Sequence, residues 1–371
     1  MNMRTVCCLI PVAFAAGCGR SGMGSGETAG NPSVELEVIL TIGEETGDSN
    51  YVFGNLFRLD HDLQGNILAL DRLEACVKVY SPDGVFLRRI SREGSGPGEL
   101  MNPFDMTVTA RGNILVETPY SGGLHSFSTD GEWLGLVTSF FSNPPTGIWG
   151  GDGISYVAVR NEVLPDENGN LICNPFIGRY ENGEEPVVKY WEATFPFDPN
   201  DLTGVMRNGI RSHSFCADRE GNVFLARRTP DSYLVQGYRP DGELFLEIDR
   251  EPCMVVRSPA EIAEEEEFIE SSLRSSGSSG VVLEYESEPY RDQIADMGVD
   301  GEGGIWVRRG TELIPTFDVY DYEGNLKFTA TVPAAGEDSM YWKFIIDEQG
   351  ILAYSLNPVD YQRIFVLDAR M

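Results

Sequence analysis

The chain has 371 residues, 42% of them hydrophobic and 11% aromatic, and its 58 acidic residues against 28 basic ones leave a formal charge of −30. That excess repels phosphate backbones and anionic lipid surfaces, which argues against a nucleic-acid partner and reads most simply as a solvated surface. Abundant Gly and Pro beside so many aromatic residues suit short strands joined by tight turns.

The first segment, MNMRTVCCLIPVAFAAGC, carries one basic residue, Arg4, then an apolar stretch from Val6 to Ala16 that is too short to span a bilayer. Residues 1–17 read as an export signal. The run Ala15-Ala16-Gly17-Cys18 resembles the lipobox of bacterial lipoproteins. The resemblance implies that Cys18 is lipidated, that the mature chain is held at the bacterial cell envelope, at the outer membrane or a periplasmic face, and that it touches membrane only through this anchor. Residues 18–33, rich in Gly and Ser, read as a flexible tether.

From residue 34 to residue 371 one phrase recurs: a glycine turn, an apolar run, and a second glycine turn. A period of this size marks a repeat fold, in which each unit buries its apolar faces only against a neighbour. Gly65, Gly112, Gly153, Gly221, Gly303 and Gly350 each precede an apolar strand, which predicts six units. Gly84, Gly131, Gly183, Gly242 and Gly324 mark a second turn in five of them. With four strands per unit, a to d, these are the a–b and c–d turns. The two glycines lie 19 residues apart in units 1 and 2 and 21 apart in units 4 and 5, but 30 apart in unit 3, where residues 163–174 read as an enlarged loop.

Unit 6 ends after its c strand, RIFVLDA, whereas VELEVILTIG, residues 34–43, is an unpaired strand-like segment upstream of unit 1. Pairing the two predicts an all-β, six-bladed β-propeller of four-stranded antiparallel blades, with the N-terminal strand closing the last blade and removing two open edges. Asp83-Gly84, the run Gly94-Ser95-Gly96-Pro97-Gly98-Glu99 and Pro103 resemble the signature of NHL-repeat propellers and of six-bladed propeller lipoproteins of bacteria.

In such a blade the a–b and c–d turns share one face and the b–c and d–a connections the other. The long segments (91–103, 139–149, 160–174, 191–211 and 249–293) all fall in the second set, where a rigid scaffold usually carries its binding residues. The largest insertion, 250–293 between blades 4 and 5, contains a helix over about 259–274. Ser258 is its N-cap, Pro259 opens the first turn and Glu261 completes a capping box. Ile262, Ile269 and Leu273 share one side of it, Glu264 to Glu267 face water, and Gly277 and Gly280 make the return. The helix reads either as a lid or as a packed decoration.

Asp62, Asp218, Asp300 and Asp347, each three residues before an a–b glycine, read as Asx caps of hairpins and not as a metal site. Seven residues before the same glycines stand Arg58, Asp105, Asp296 and Lys343, at the mouth end of the innermost strands, with Trp149, His213 and Trp342 near that level. These seven are candidates for a ligand site at the channel mouth; the competing account is ion pairing between blades plus ordinary aromatic packing. His61, His125 and His213 show no zinc-ligand spacing, and no nucleophile elbow or nucleotide-binding loop occurs in its required context, so no catalytic residue, metal or cofactor is assigned. Cys76, Cys173, Cys216 and Cys253 match no metal motif and are expected as buried single thiols.

The expected function is that of a monomeric, non-catalytic binding module for a protein, peptide or glycan. The alternative is an enzyme resembling the lactonase or lyase propellers, which implies a metal, calcium, held on the axis by Glu, Asp and Asn. Asp105 and Asp296 supply two such groups, and no inner-strand Asn in the middle of the chain completes the set.

Overall fold

Each repeated Asp-to-Gly turn is a hairpin tied by its own aspartate. Oδ1 of Asp62 accepts the N–H groups of Gln64 and Asn66, both at 2.9 Å, and Gly65 holds φ +78°, a conformation that a side chain would strain. Asp218 caps Glu220 and Asn222 in the same way, Asp300 caps Glu302 and Gly304, and Asp347 caps Gln349. The structure, a computed structural model, describes residues 32–369 apart from 120–121, 140–144, 182, 211, 276–284 and 337–340. The export signal, Cys18, nearly all of the tether, and Gly277 and Gly280 lie outside the described residues.

The chain is all-β and propeller-like, built from four-stranded blades. β1 (Ser33–Ile42) comes first. β2 (Leu56–His61), β3 (Ile67–Asp71), β4 (Cys76–Tyr80) and β5 (Phe86–Ile90) form one antiparallel sheet. β6 (Asp105–Val108), β7 (Ile114–Thr118), β8 (Gly123–Phe127) and β9 (Trp133–Thr138) form the next. β10 (Thr146–Gly150), β11 (Tyr156–Pro165), β12 (Leu171–Tyr180) and β13 (Val188–Glu192) follow, with the short β14 (Phe195–Pro196) added beside β12. β15 (His213–Ala217), β16 (Val223–Arg227), β17 (Tyr233–Tyr238) and β18 (Leu244–Arg250) make a fourth sheet.

The last sheet has eight strands. β19 (Ile294–Val299), β20 (Ile305–Arg309), β21 (Thr316–Tyr320) and β22 (Leu326–Thr331) continue through β1 into β25 (Ile364–Ala369), β24 (Gly350–Ser355) and β23 (Trp342–Asp347). Hydrogen bonding therefore gives five sheets and not the six separate ones expected. The cause is local: Ser33 to Glu35 of β1 pair parallel with Thr329 to Thr331 of β22, while Leu36 to Ile42 pair antiparallel with β25.

Unit 3 also departs from expectation. Residues 163–174 are not a loop; they prolong β11 and β12 into a hairpin paired from Tyr156↔Tyr180 to Pro165↔Leu171. Asp166 caps its tip exactly as the short hairpins are capped, accepting from Asn168 and Asn170 at 2.8 Å each. The helical insertion is as read: α2 spans Pro259–Ser275 after a short α1 (Leu202–Val205), and the Ser258 and Glu261 groups cap each other reciprocally at 3.0 and 3.3 Å.

The core lies between sheets. Leu68, Leu70, Val77 and Val79 meet Met106, Val108, Ile114 and Val116 in one cluster, and five further clusters join the other neighbouring units. One of them sets Ile345, Leu352 and Ile364 near the C-terminus against Leu56, Leu59 and Ile67 near the N-terminus. β1 contributes to two clusters, through Leu36 and Ile42, both buried. Truncating Leu36 to Ala should cost about 2–5 kcal/mol and lower the thermal midpoint by several degrees, whereas Ile39→Ala on the exposed face of the same strand should change stability by less than about 0.5 kcal/mol. Calorimetric melts of the two variants against the parent check the contrast.

Candidate functional site

The innermost strands are pinned to one another by side chains. Oδ2 of Asp60 accepts the N–H of Val108 at 2.9 Å, Oδ2 of Asp105 that of Ile148 at 2.7 Å, and Oγ1 of Thr107 that of Gly150 at 2.7 Å. Further round, Ser214 Oγ donates to Ala295 O at 2.9 Å, and His61 Nδ1 lies 2.9 Å from Asp347. Register shifts occur between Leu56 and Arg58, between Thr146 and Ile148, and between Ile294 and Asp296, and such bulges re-aim the side chains beside them.

Arg58 is the hub of the axial residues. Its Nε is 3.5 Å from Asp105, its Nη2 is 3.5 Å from Ile148 O, and its guanidinium lies 4.6 Å from the Trp149 ring centre. Burial opposes its charge, but Asp105, Asp60 and Asp296 outweigh that and hold it above the ordinary arginine value. Burial, and then the charge of Asp347, push Asp60 up to about 6, against Arg58 and the two N–H donors. Asp105 is also raised by burial, opposed by Arg58 and the N–H groups of Ile148 and Met106. Opposite Asp105 in the ladder stands Glu117, fully buried and raised well above its usual value by burial and by the Asp105 charge.

These residues do not fit a calcium ion. The Asp105 oxygens already accept from Met106 and Ile148, the Asp60 oxygens accept from His61 and Val108, and the Arg58 guanidinium pairs with Asp105 at 3.5 Å, so that a cation already faces these carboxylates. Among the described residues no three His, Cys, Asp or Glu side chains are grouped to hold a metal.

The other candidates separate. Trp342 is part of the core, stacked on Phe365 at 5.0 Å, and its carbonyl accepts from Arg308 at 2.7 Å. His213 packs 4.1 Å from the Trp191 ring with Ser212 Oγ 2.9 Å from Nδ1; burial, then Arg227, bring it down to about 4, so it is neutral at pH 7. Lys343 lies elsewhere, in a cavity of about 380 Å³ on the long-connection face. Cys76, Cys173 and Cys216 are buried thiols, but Cys253 is exposed.

The cavity is walled by the connections that follow β16, β18 and β20, and by the starts of β19 and β23. α2 borders it: Glu264 O accepts from Tyr341 Oη at 3.2 Å, and the Phe268 and Tyr341 rings are 4.8 Å apart, which fastens the helix to the segment entering β23. Glu265, expected in water, turns inward to Arg257 at 2.6 Å, while Glu264, Glu266 and Glu267 are exposed. Further pairs line the wall: Arg291 with Glu261 at 2.8 Å, Arg207 with Glu288 at 3.0 Å and Arg228 with Asp292 at 3.7 Å. Reading the innermost strands alone missed these arginines. A signal was present for Arg228 and for Arg227, Arg308 and Arg309 on the same wall: NVFLARR and GIWVRRG end the b strands of two successive units with paired arginines, Arg227-Arg228 and Arg308-Arg309.

No protein-family model matches the chain, and no curated protein matches it. Among solved structures it is similar to regucalcin, a calcium-binding protein of Agrobacterium tumefaciens, with 12% identity over 92% of this chain and 97% of that one and a TM-score of 0.47. It is similar to virginiamycin B lyase of Staphylococcus aureus, with 8% identity over 91% and 100% and a TM-score of 0.48. A gluconolactonase of Xanthomonas campestris gives 12% identity over 86% and 88% and a TM-score of 0.42. At these identities and scores no activity passes from those proteins to this chain.

Because Asp60 holds its proton to a higher pH in the native state than in the unfolded one, its contribution to stability is complete below about pH 4 and is lost as the pH rises through about 6. Asp60→Asn keeps an acceptor for the Val108 N–H and removes that titration. Urea midpoints at pH 4 and pH 7 should differ less, in the acid-favouring direction, in the variant than in the parent. An identical difference in both proteins would mean that Asp60 does not titrate in this window.

Proposed function

We propose that the chain is an exported, lipid-anchored six-bladed propeller that acts as a binding module, taking a protein, peptide or glycan in the cavity beside α2. The six-blade count is supported by reading the eight-stranded sheet as two four-stranded blades joined at β1, and by the six apolar clusters between successive units. Anchoring rests on the resemblance of Ala15 to Cys18 to a lipobox. The observation that carries the binding reading is the cavity itself: it lies where the long connections gather, and its volume of about 380 Å³ is in the range of small-ligand sites.

The engaged lone pairs of Asp60 and Asp105 favour this reading over a metal-dependent lactonase or lyase. Calcium should leave the thermal midpoint of the full chain unchanged, and a panel of lactones should not be turned over above the blank. A rise of several degrees with calcium together with turnover would establish the enzyme instead. On the binding reading, Ala295→Trp, which fills the cavity from β19, should weaken any glycan or peptide selected on an array by at least about tenfold, a loss of about 1.4 kcal/mol. Metabolic labelling with a radioactive fatty acid tests the anchor: Cys18→Ser should abolish incorporation.

A further inference from the structure

Glu117, near the end of β7, is fully buried, and neither of its carboxyl oxygens has a hydrogen-bond partner. The ladder gives its direction. Leu115, two residues before it, and Leu124, its neighbour across the pair with β8, both pack in the cluster that joins the second sheet to Ile148, Tyr156 and Phe176 of the third. Residues that alternate along a strand, or pair across it, share a face, so Glu117 points into the joint between those two sheets. Across β6 it stands opposite Asp105, whose Oδ2 accepts the Ile148 N–H at 2.7 Å and so ties β6 to β10 over the same joint. From β11 the joint receives Tyr156, whose Oη is also buried without a partner, and from β12 Tyr180, stacked on it at 5.1 Å. Arg160, further along β11, acts on these two phenols and pairs with Glu162 at 3.8 Å, while His125 of β8 stands opposite Val116 on the far face.

A carboxylate in apolar surroundings with no donor to meet it costs far more than the neutral acid, so such a group keeps its proton. A negative charge facing Asp105 would add repulsion to that cost. We propose that Glu117 is an acid lock: uncharged, it seals the joint between the second and third sheets, and when it gives its proton to solvent it drives the joint open and frees the Ile148 N–H from Asp105. Burial, and then the Asp105 charge, raise the Glu117 carboxyl well above its usual range, in the same direction. Because the closed joint holds the proton more firmly than an opened one, the contribution of Glu117 to stability is complete below about pH 4 and is lost as the pH rises through the raised native value, each pH unit in between favouring the opened form by about tenfold. Asp105 also faces Arg58 at 3.5 Å, so the axial end of the channel loosens with the joint. The lock is independent of what the cavity binds.

Amide hydrogen exchange at Ile148 in the full chain reads the joint directly. With intrinsic rates divided out, protection in the parent should fall between pH 5 and pH 7 more steeply than in Glu117→Gln, which keeps the shape of the neutral acid, by about tenfold per pH unit. Asp60 and Asp105 are present in both proteins, so the difference belongs to Glu117. Glu132→Gln, exposed at the turn before β9 in the same sheet, should follow the parent. Infrared difference spectra of the parent against Glu117→Gln at pH 7 should show the carbonyl band of an un-ionised carboxylic acid in the parent, fading at the pH where its Ile148 protection levels off. Glu117→Met, apolar and of similar length, should flatten the exchange profile in the same way and keeps the test open if the Gln variant does not fold. An equal fall in the parent and the Glu117 variants, or a difference spectrum without the acid band, overturns the proposal.

Discussion

The antiparallel pairing of β1 with β25 is the constraint on which the rest depends, because it joins strands from opposite ends of the described chain. Without it β25 would present an open edge, and the cluster at Leu36 would lose its cover. The alternation along β1 fits this role, with Leu36 and Ile42 buried in two different clusters and Ile39 exposed. A slip of one residue would turn every one of these side chains to the opposite face. Once the ends are fixed, the inner strands lie close enough for a carboxylate on one to reach a backbone N–H on the next, as Asp60 does with Val108.

That reach explains why the axis is not the obvious place for a ligand. The carboxylates of Asp60 and Asp105 are used in holding the strands together, and Arg58 offsets the charge that they bring. The cavity differs in kind. Its walls come largely from connections, which the strand ladders do not fix, so charge and shape there are set by insertions such as the one carrying α2. The axial residues and the cavity wall are thereby different sets, although Asp296, whose field reaches both Arg58 and Arg308, links the two.

Much of the fold was legible because its turns are local. An aspartate three residues before a glycine meets N–H donors within the turn itself, as Asp62 and Asp218 do, and the Ser258 and Glu261 capping pair is equally local. The site was less legible because counting back from a turn gives depth without direction. Adjacent strand residues face opposite sides, so of Trp342 and Lys343 only one can reach the cavity, and a count from Gly350 does not choose between them. The paired arginines ending β16 and β20 were visible, yet their meaning depends on two units standing side by side with α2 next to them. Residues 163–174 misled for a related reason: a length excess between two glycines does not distinguish a loop from a longer hairpin, and here the Asp166 turn decided it.

The position of β1 has a bearing on how the fold carries load. The chain joins the sheet at Pro32, whose carbonyl accepts from Thr329 at 2.9 Å, and Ser33 to Glu35 run beside the end of β22 before β1 passes to β25. A force entering at Pro32 is therefore shared between two ladders and loads the seam between the last two four-stranded units, not the strands that carry Asp60 and Asp105.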